Sequence, residues 1–283
     1  MKKISLIILT IVLVATMMLA FTGCATATVQ DQLRDIWRPY EKYVYSVVGN
    51  IGDTTQTGTY TVEIKRNLAS TVTIGDMTVE NVSEGYIITS LLEIADTTYE
   101  TACYMQKSSG ASLFVPIATY TKHTSAEYTD KVAGKYDGKK FNYTITEFGA
   151  PREESISLKA PYYDNNQIHQ LLRSANTLGV GFSFSFNVPL PAENELCQLS
   201  VSCSVTTDIV WGDAETQTTC NKVYLSRQTK VNGASHILYY SDKAIKVDGW
   251  DLKNVLIRFE EPIGDDEFMT YTLESISLNS AEA

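Results

Sequence analysis

The sequence predicts a mainly β protein: a curved antiparallel sheet, as an open barrel or sandwich, with one bridging helix and a short N-terminal helix. Three observations carry that prediction. Apolar and polar residues alternate with period two through most of the chain, as in Tyr60, Val62 and Ile64 against Thr59, Thr61 and Glu63; this is the pattern of a strand with one buried face. Turn-forming residues recur at the short intervals of an all-β sandwich or barrel. Inside the chain, the main stretch that switches to the helical period is residues 164–176.

In chain order, the first element is an address. Met1-Lys2-Lys3 is positively charged, Ile4 to Phe21 runs apolar, and Ala20-Phe21-Thr22-Gly23-Cys24 closes the stretch. A membrane-spanning helix needs about 20 apolar residues, which this run nearly supplies. Small residues directly before a cysteine, however, resemble the bacterial lipobox, in which the thiol receives a diacylglycerol and the preceding bond is cut. The expectation is a lipoprotein signal peptide over 1–23, lipidation at Cys24, and a domain lipid-anchored on the extracytoplasmic face of the cell membrane. Each buried acyl methylene is worth about 0.8 kcal/mol, so a diacylated cysteine holds a protein stably. The body offers no electrostatic help: 33 acidic residues against 23 basic give a net charge of −10, which anionic headgroups repel. The same balance argues against a nucleic-acid partner.

Residues 24–42 read as the lipidated cysteine, a short tether and an amphipathic helix. Val29, Leu33, Ile36, Trp37 and Tyr40 fall at helical spacing, and Pro39 limits how far that helix extends. Residues 43–283 read as a single β-rich domain, because no Pro/Gly/Ser-rich linker divides them. Candidate strands lie near 84–94, 98–106, 112–122, 126–136, 153–159, 199–210, 218–228, 235–241, 253–260 and 268–278. Tyr136-Asp137-Gly138-Lys139 predicts a type I′ hairpin turn. Asp164 with Gln167 three residues later reads as a capping box, and Ile168, Leu171, Leu172 and Ala175 form the apolar stripe of the bridging helix. Phe182, Phe184 and Phe186 then alternate with Ser183 and Ser185.

Beside Cys24 the chain has Cys103, Cys197, Cys203 and Cys220, with no Cys-x-x-Cys. An oxidising compartment permits disulfides. Cys203 and Cys220, facing across a hairpin, are the favoured pair; the alternative is four small buried apolar residues.

The order of features is also familiar. A strand pair from Tyr45 to Ile64 carries a Gly58-Thr59 step, and a Tyr-Asp-x-x-x-Ile helix ends in Leu-Leu-Arg (Tyr163, Asp164, Ile168, Leu171, Leu172, Arg173). A hairpin spans Thr207 to Leu225, Ile237 to Ser241 follows, and Leu256 to Pro262 with Thr270 to Ile276 end the domain. This resembles an exported bacterial family, domain of unknown function three-one-zero-eight, and is more remotely similar to the lipoprotein-carrier superfamily. The resemblance covers most of 43–278 and implies a curved antiparallel sheet around an apolar cavity. Trp211-Gly212-Asp213-Ala214-Glu215 replaces the family's usual Pro-Ala-Gly turn. The family supplies no catalytic residues to carry over.

Motifs for chemistry are sparse. There is no Gly-x-Ser-x-Gly, and Ser235-His236 are strand neighbours that point to opposite faces. His123, His169 and His236 show no ligand spacing, so neither a metal nor another cofactor is expected. Glu260-Glu261 and Asp265-Asp266-Glu267 flank Pro262 and Gly264 and read as a solvated turn. Gly49-Asn50-Ile51-Gly52 and Gly179-Val180-Gly181 open onto strands, unlike a phosphate loop, which opens onto a helix. The 17 tyrosines, nine phenylalanines and three tryptophans are the most suggestive surplus. Together these features predict a membrane-anchored, non-enzymatic binding or carrier module for an apolar small molecule or lipid. Phe182, Phe184 and Phe186 line its cavity if the sheet is incompletely covered, and are core if it is covered. The alternatives are an envelope scaffold or protein-interaction module, and a hydrolase of cell-wall glycans, which needs two carboxylates across a cleft.

Overall fold

The alternation becomes a run of strands in the computed structural model, which describes residues 33–51, 54–107, 113–212, 215–227, 235–264 and 267–278. The first ten are β1 (Tyr40–Ile51), β2 (Thr54–Asn67), β3 (Thr71–Ile74), β4 (Met77–Glu80), β5 (Gly85–Ile94), β6 (Thr97–Gln106), β7 (Val115–Thr124), β8 (Thr129–Tyr136), β9 (Lys140–Glu147) and β10 (Ala150–Ser157). A 3-10 turn (Asn165–Gln167) and helix α1 (Ile168–Arg173) lead into β11 (Ser183–Leu190), β12 (Glu195–Trp211), β13 (Thr216–Arg227) and β14 (His236–Ser241). The chain ends with β15 (Ile245–Val247), β16 (Trp250–Leu252), β17 (Leu256–Gly264) and β18 (Glu267–Ser277).

Fourteen strands form one antiparallel sheet in the order β10-β9-β8-β7-β6-β5-β2-β1-β18-β17-β14-β13-β12-β11, while β3–β4 and β15–β16 pair only with each other. Strand β1 joins the two halves of the chain, because it pairs with β2 on one side and with β18 on the other. Register slips at Val44/Tyr45, Tyr104/Met105, Cys203/Val205, Tyr239/Tyr240 and Pro262/Gly264 bend the sheet, since a bulge adds local twist. At Gly58 a Cβ would sit 2.2 Å from the Glu93 carbonyl oxygen, so only glycine admits that close approach of β2 to β5. The curved sheet nearly closes into a barrel: the Tyr143 hydroxyl on β9 donates to the Pro191 carbonyl and the Asn194 amide oxygen, each at 3.1 Å. Leu196 of β12 packs there against the cluster of Tyr136, Phe141, Tyr143, Ile145 and Ile156.

The interior-facing parity of β1 (Tyr43, Tyr45, Val47) belongs to one large core. A second, smaller core lies on the outer face, where the β3–β4 hairpin covers Ala102, Tyr104, Ala118 and Tyr120. Helix α1 has six residues, too few to persist alone. Packing holds it, because Ile168, Leu171 and Leu172 are each no more than 1% exposed and full burial of such a side chain is worth about 1.5–3 kcal/mol. Asp164 caps the preceding turn by accepting from the Asn166 amide at 2.8 Å. Gln167 does not reciprocate as a capping box requires; its side chain is buried and donates to the Phe114 carbonyl at 3.1 Å.

Three further expectations are corrected. The described part of the predicted N-terminal helix is not helical: residues 34–38 are irregular, Leu33 makes an isolated bridge to Ala175, and Tyr40 already begins β1. Leu33 and Trp37 are buried as the helical stripe required, but in an irregular segment that meets the end of α1 through the Leu33–Ala175 bridge. The hairpin at Asp137-Gly138 is not type I′, which needs positive φ at both central residues: Gly138 alone has it, at 88°, and the Asp137 carboxylate accepts from the Lys139 and Lys140 amides.

The disulfide is the third. Cys103, Cys197, Cys203 and Cys220 are all free and buried. Across the β12–β13 pair Cys203 lies opposite Val223 and Cys220 opposite Thr207, an offset of several residues at roughly 3.4 Å each, beyond the Cα separation a disulfide bridges. Burial raises the thiol pKa of Cys103 and Cys203 and pushes that of Cys220 up to about 12, which suppresses the reactive thiolate. Iodoacetamide at pH 8 should therefore leave these three thiols unmodified in the native protein and label them once denaturant is added; rapid native labelling, read by peptide mass, would contradict this packing.

The signal peptide, Cys24, the tether and the first residues of the predicted helix lie outside the described residues. Among the described residues no helix is long and apolar enough to cross a membrane.

Candidate functional site

Helix α1 lies across the concave face of the sheet, and its fastening is explicit. The Tyr240 hydroxyl donates to the His169 carbonyl at 2.7 Å. The Asn254 side-chain amide donates to the carbonyls of Arg173 and Ala175 at 2.9 and 2.8 Å, satisfying acceptors that a helix end leaves open. Arg173 meets Glu41 of β1 at 2.8 Å, both side chains being 1% exposed or less. Glu41 also accepts from the Tyr43 hydroxyl at 2.5 Å and the Arg38 amide at 2.7 Å.

Between α1 and the sheet is a cavity of about 510 Å³, within the usual range for a small-molecule site. Its floor is an aromatic cluster. Phe259 and Tyr271 stack with centroids 4.0 Å apart, and Tyr60 meets them edge-on at 5.7 and 5.3 Å. Tyr45 packs on Phe259 at 5.7 Å and donates to the Leu256 carbonyl at 3.0 Å. Ile88, Leu92, Leu190, Leu199 and Leu225 add aliphatic wall. The hydroxyls of this floor do not ionise near neutrality: burial raises the pKa of Tyr45 and Tyr60, and burial together with the Glu261 charge raises that of Tyr271.

Polar groups collect toward the end where β17 turns into β18 and where β11 connects to β12. His169 on α1, His236 at the start of β14 and Glu261 on β17 converge there, with their ligand atoms all within 4.8 Å of one another. The Tyr271 hydroxyl donates to Glu261 Oε2 at 2.9 Å. Burial, helped by the nearby His236, pushes the His169 pKa down to about 3, so its imidazole is neutral at ordinary pH. Arg227, also at this end, pairs with Glu193 and with Glu195 and donates from Nε to Cys197 Sγ at 3.2 Å.

This arrangement redistributes the residues singled out in the sequence. Phe182, Phe184 and Phe186 do not line the cavity. Phe186 is fully buried in the main core against Tyr163, and Phe182 and Phe184 pack half-buried beside it. Alternation placed them on one face but could not say which stretch of that face α1 leaves uncovered. Glu260 and Glu261 are not in a turn; they belong to β17, paired with Thr270 and Met269, and Glu261 faces the cavity. Asp265 and Asp266 lie outside the described residues. Two of the three histidines meet despite lacking ligand spacing, whereas His123 sits apart between Tyr99 and Tyr128. The tyrosine surplus was the one sequence signal pointing here, since Tyr45, Tyr60, Tyr99 and Tyr271 all line the cavity.

No family model matches the chain, and no curated protein does. Among solved structures it is similar to the crystal structure of a beta-barrel-like protein of domain of unknown function DUF1849 from Brucella abortus. The TM-score is 0.52 at 11% sequence identity, over 87% of this chain and 100% of that one. The shared fold is barrel-like. At that identity the likeness extends to the fold alone, a barrel of unknown function.

Proposed function

We propose that this protein is an exported lipoprotein, anchored through Cys24 on the extracytoplasmic face of the membrane, whose barrel-like domain is a non-enzymatic binding module for an apolar small molecule or lipid. One observation carries the binding role: the cavity under α1, walled by leucines and aromatic rings, with its titratable groups gathered at one end. Such a lining suits an apolar body with a small polar head, because the rings and leucines accept hydrocarbon while the few polar groups orient the head. The lipobox-like start of the sequence supports the location.

The test is native mass spectrometry of the full chain, purified in mild detergent from its own host, followed by organic extraction. The expected result is a chain beginning at a diacylated Cys24 and carrying a stoichiometric adduct that extraction removes. Leu92→Trp, which intrudes into the cavity, should abolish the adduct and leave a folded chain whose thermal midpoint matches that of the wild type after extraction. A wild-type mass with no adduct beyond the anchor would overturn the binding role, and an unprocessed N-terminus would overturn the anchor.

A further inference from the structure

We propose that His169, His236 and Glu261 form a binding site for one divalent transition cation of the zinc class, with a coordination position left open to the cavity. The three side chains come from α1, β14 and β17, and the fold brings their ligand atoms within 4.8 Å of one another. His236 Nδ1 lies 3.9 Å from Glu261 Oε1, and the two imidazole rings are 6.5 Å apart between centroids. Zinc binds imidazole nitrogen and carboxylate oxygen at about 2.0–2.2 Å in tetrahedral geometry. Ligand atoms around such an ion are therefore about 3.4 Å apart, so side-chain rotations that draw these atoms in by an ångström or so complete the site.

Each member is suited to the role. His236 Nδ1 is buried and has no hydrogen-bond partner among the described residues, which is costly for a polar atom. His169 packs its ring on Phe259 at 4.8 Å, which holds the imidazole in place beside the other two ligands. Glu261 uses Oε2 to accept from Tyr271, and its one ion-pair contact among the described residues is His236. A carboxylate oriented by a hydroxyl, with its other oxygen turned to a histidine pair, is the outer-shell pattern of a metal ligand. A cation would also neutralise a carboxylate set beside aromatic walls. Two imidazoles and a carboxylate suit zinc, cobalt or nickel, whereas magnesium and calcium prefer oxygen donors.

The site deepens the binding-module reading and rests on it only for the open position, which would take an anionic oxygen of the ligand's head; cation binding itself is independent. The probe is zinc chloride alone, titrated calorimetrically into the full chain after treatment with a chelator, with cobalt(II) absorption reporting coordination geometry. One zinc per chain is expected. His236→Ala and Glu261→Gln should lose that binding. Tyr271→Phe, which keeps the stacked ring and deletes only the hydroxyl, should weaken it about 10–100-fold. Should the first two variants fail to fold, Tyr271→Phe still decides. Absence of 1:1 uptake by the wild type, or uptake equally tight in the three variants, overturns the proposal. In the mass spectrum, zinc without an organic adduct sinks the ligand reading and leaves the metal site standing; an adduct with no zinc uptake does the reverse.

Discussion

Glu41→Ala is expected to cost about 3–5 kcal/mol of folding stability, the usual penalty for removing one partner of a buried ion pair. Glu41 is fully buried and Arg173 is 1% exposed. Deleting the carboxylate leaves the guanidinium with the Gln170 side-chain oxygen at 3.1 Å and the Tyr43 ring, 4.7 Å from the Arg173 Cζ to its centroid. Arginine cannot shed its charge to escape. The Tyr43 hydroxyl and the Arg38 amide lose their acceptor as well. For a domain of this size the loss corresponds to a drop of roughly 6–20 °C in thermal midpoint. The double variant Glu41→Met, Arg173→Met should recover most of it, since a buried pair replaced by apolar groups is often neutral or better. Urea unfolding of wild type, single and double variants measures this. A double variant no more stable than Glu41→Ala would mean that the pair's geometry, not its uncompensated charge, is what the fold needs.

Phe186→Ala should cost about 3–5 kcal/mol, the range for truncating a large aromatic in a packed core. Its ring is fully buried, with Tyr163 at 5.5 Å and Phe184 at 5.4 Å. Phe182→Ser should cost markedly less, because that ring is only half-buried and precedes β11. Neither residue touches the cavity under α1, so a folded Phe182→Ser chain should keep whatever adduct the wild type carries. Loss of the adduct from that folded variant would move the ligand to the phenylalanine face and away from the tyrosine floor.

The strands were legible in the sequence, whereas the buried ion pair was not. Period-two alternation located the strands well: predicted 84–94, 98–106 and 235–241 became Gly85–Ile94, Thr97–Gln106 and His236–Ser241. Alternation is local and follows from one face being buried, so it survives without knowledge of partners. The short hairpins β3–β4 and β15–β16 went unread, because four and three residues are too few to establish a period. The predicted N-terminal helix failed for a related reason: Leu33 and Trp37, four residues apart, fit one face of a helix, but an irregular segment at the end of α1 buries them equally well. The cysteine pairing failed on register, since alternation says which face a residue takes and not which residue lies opposite.

By itself the sequence determined that the chain is mainly β and that one helix bridges two groups of strands. Each is a property of neighbours within about a dozen residues, where period, caps and composition act. The tertiary structure alone decided what stands inside the barrel. Glu41 and Arg173 are 132 residues apart in the chain, and His169, His236 and Glu261 come from a helix and two strands separated by long intervals. Such groups meet only because β1 pairs with β18 and α1 is laid across the bent sheet. The depth of that bend, and the part of the face the helix leaves open, depend on bulges and packing that no local pattern encodes.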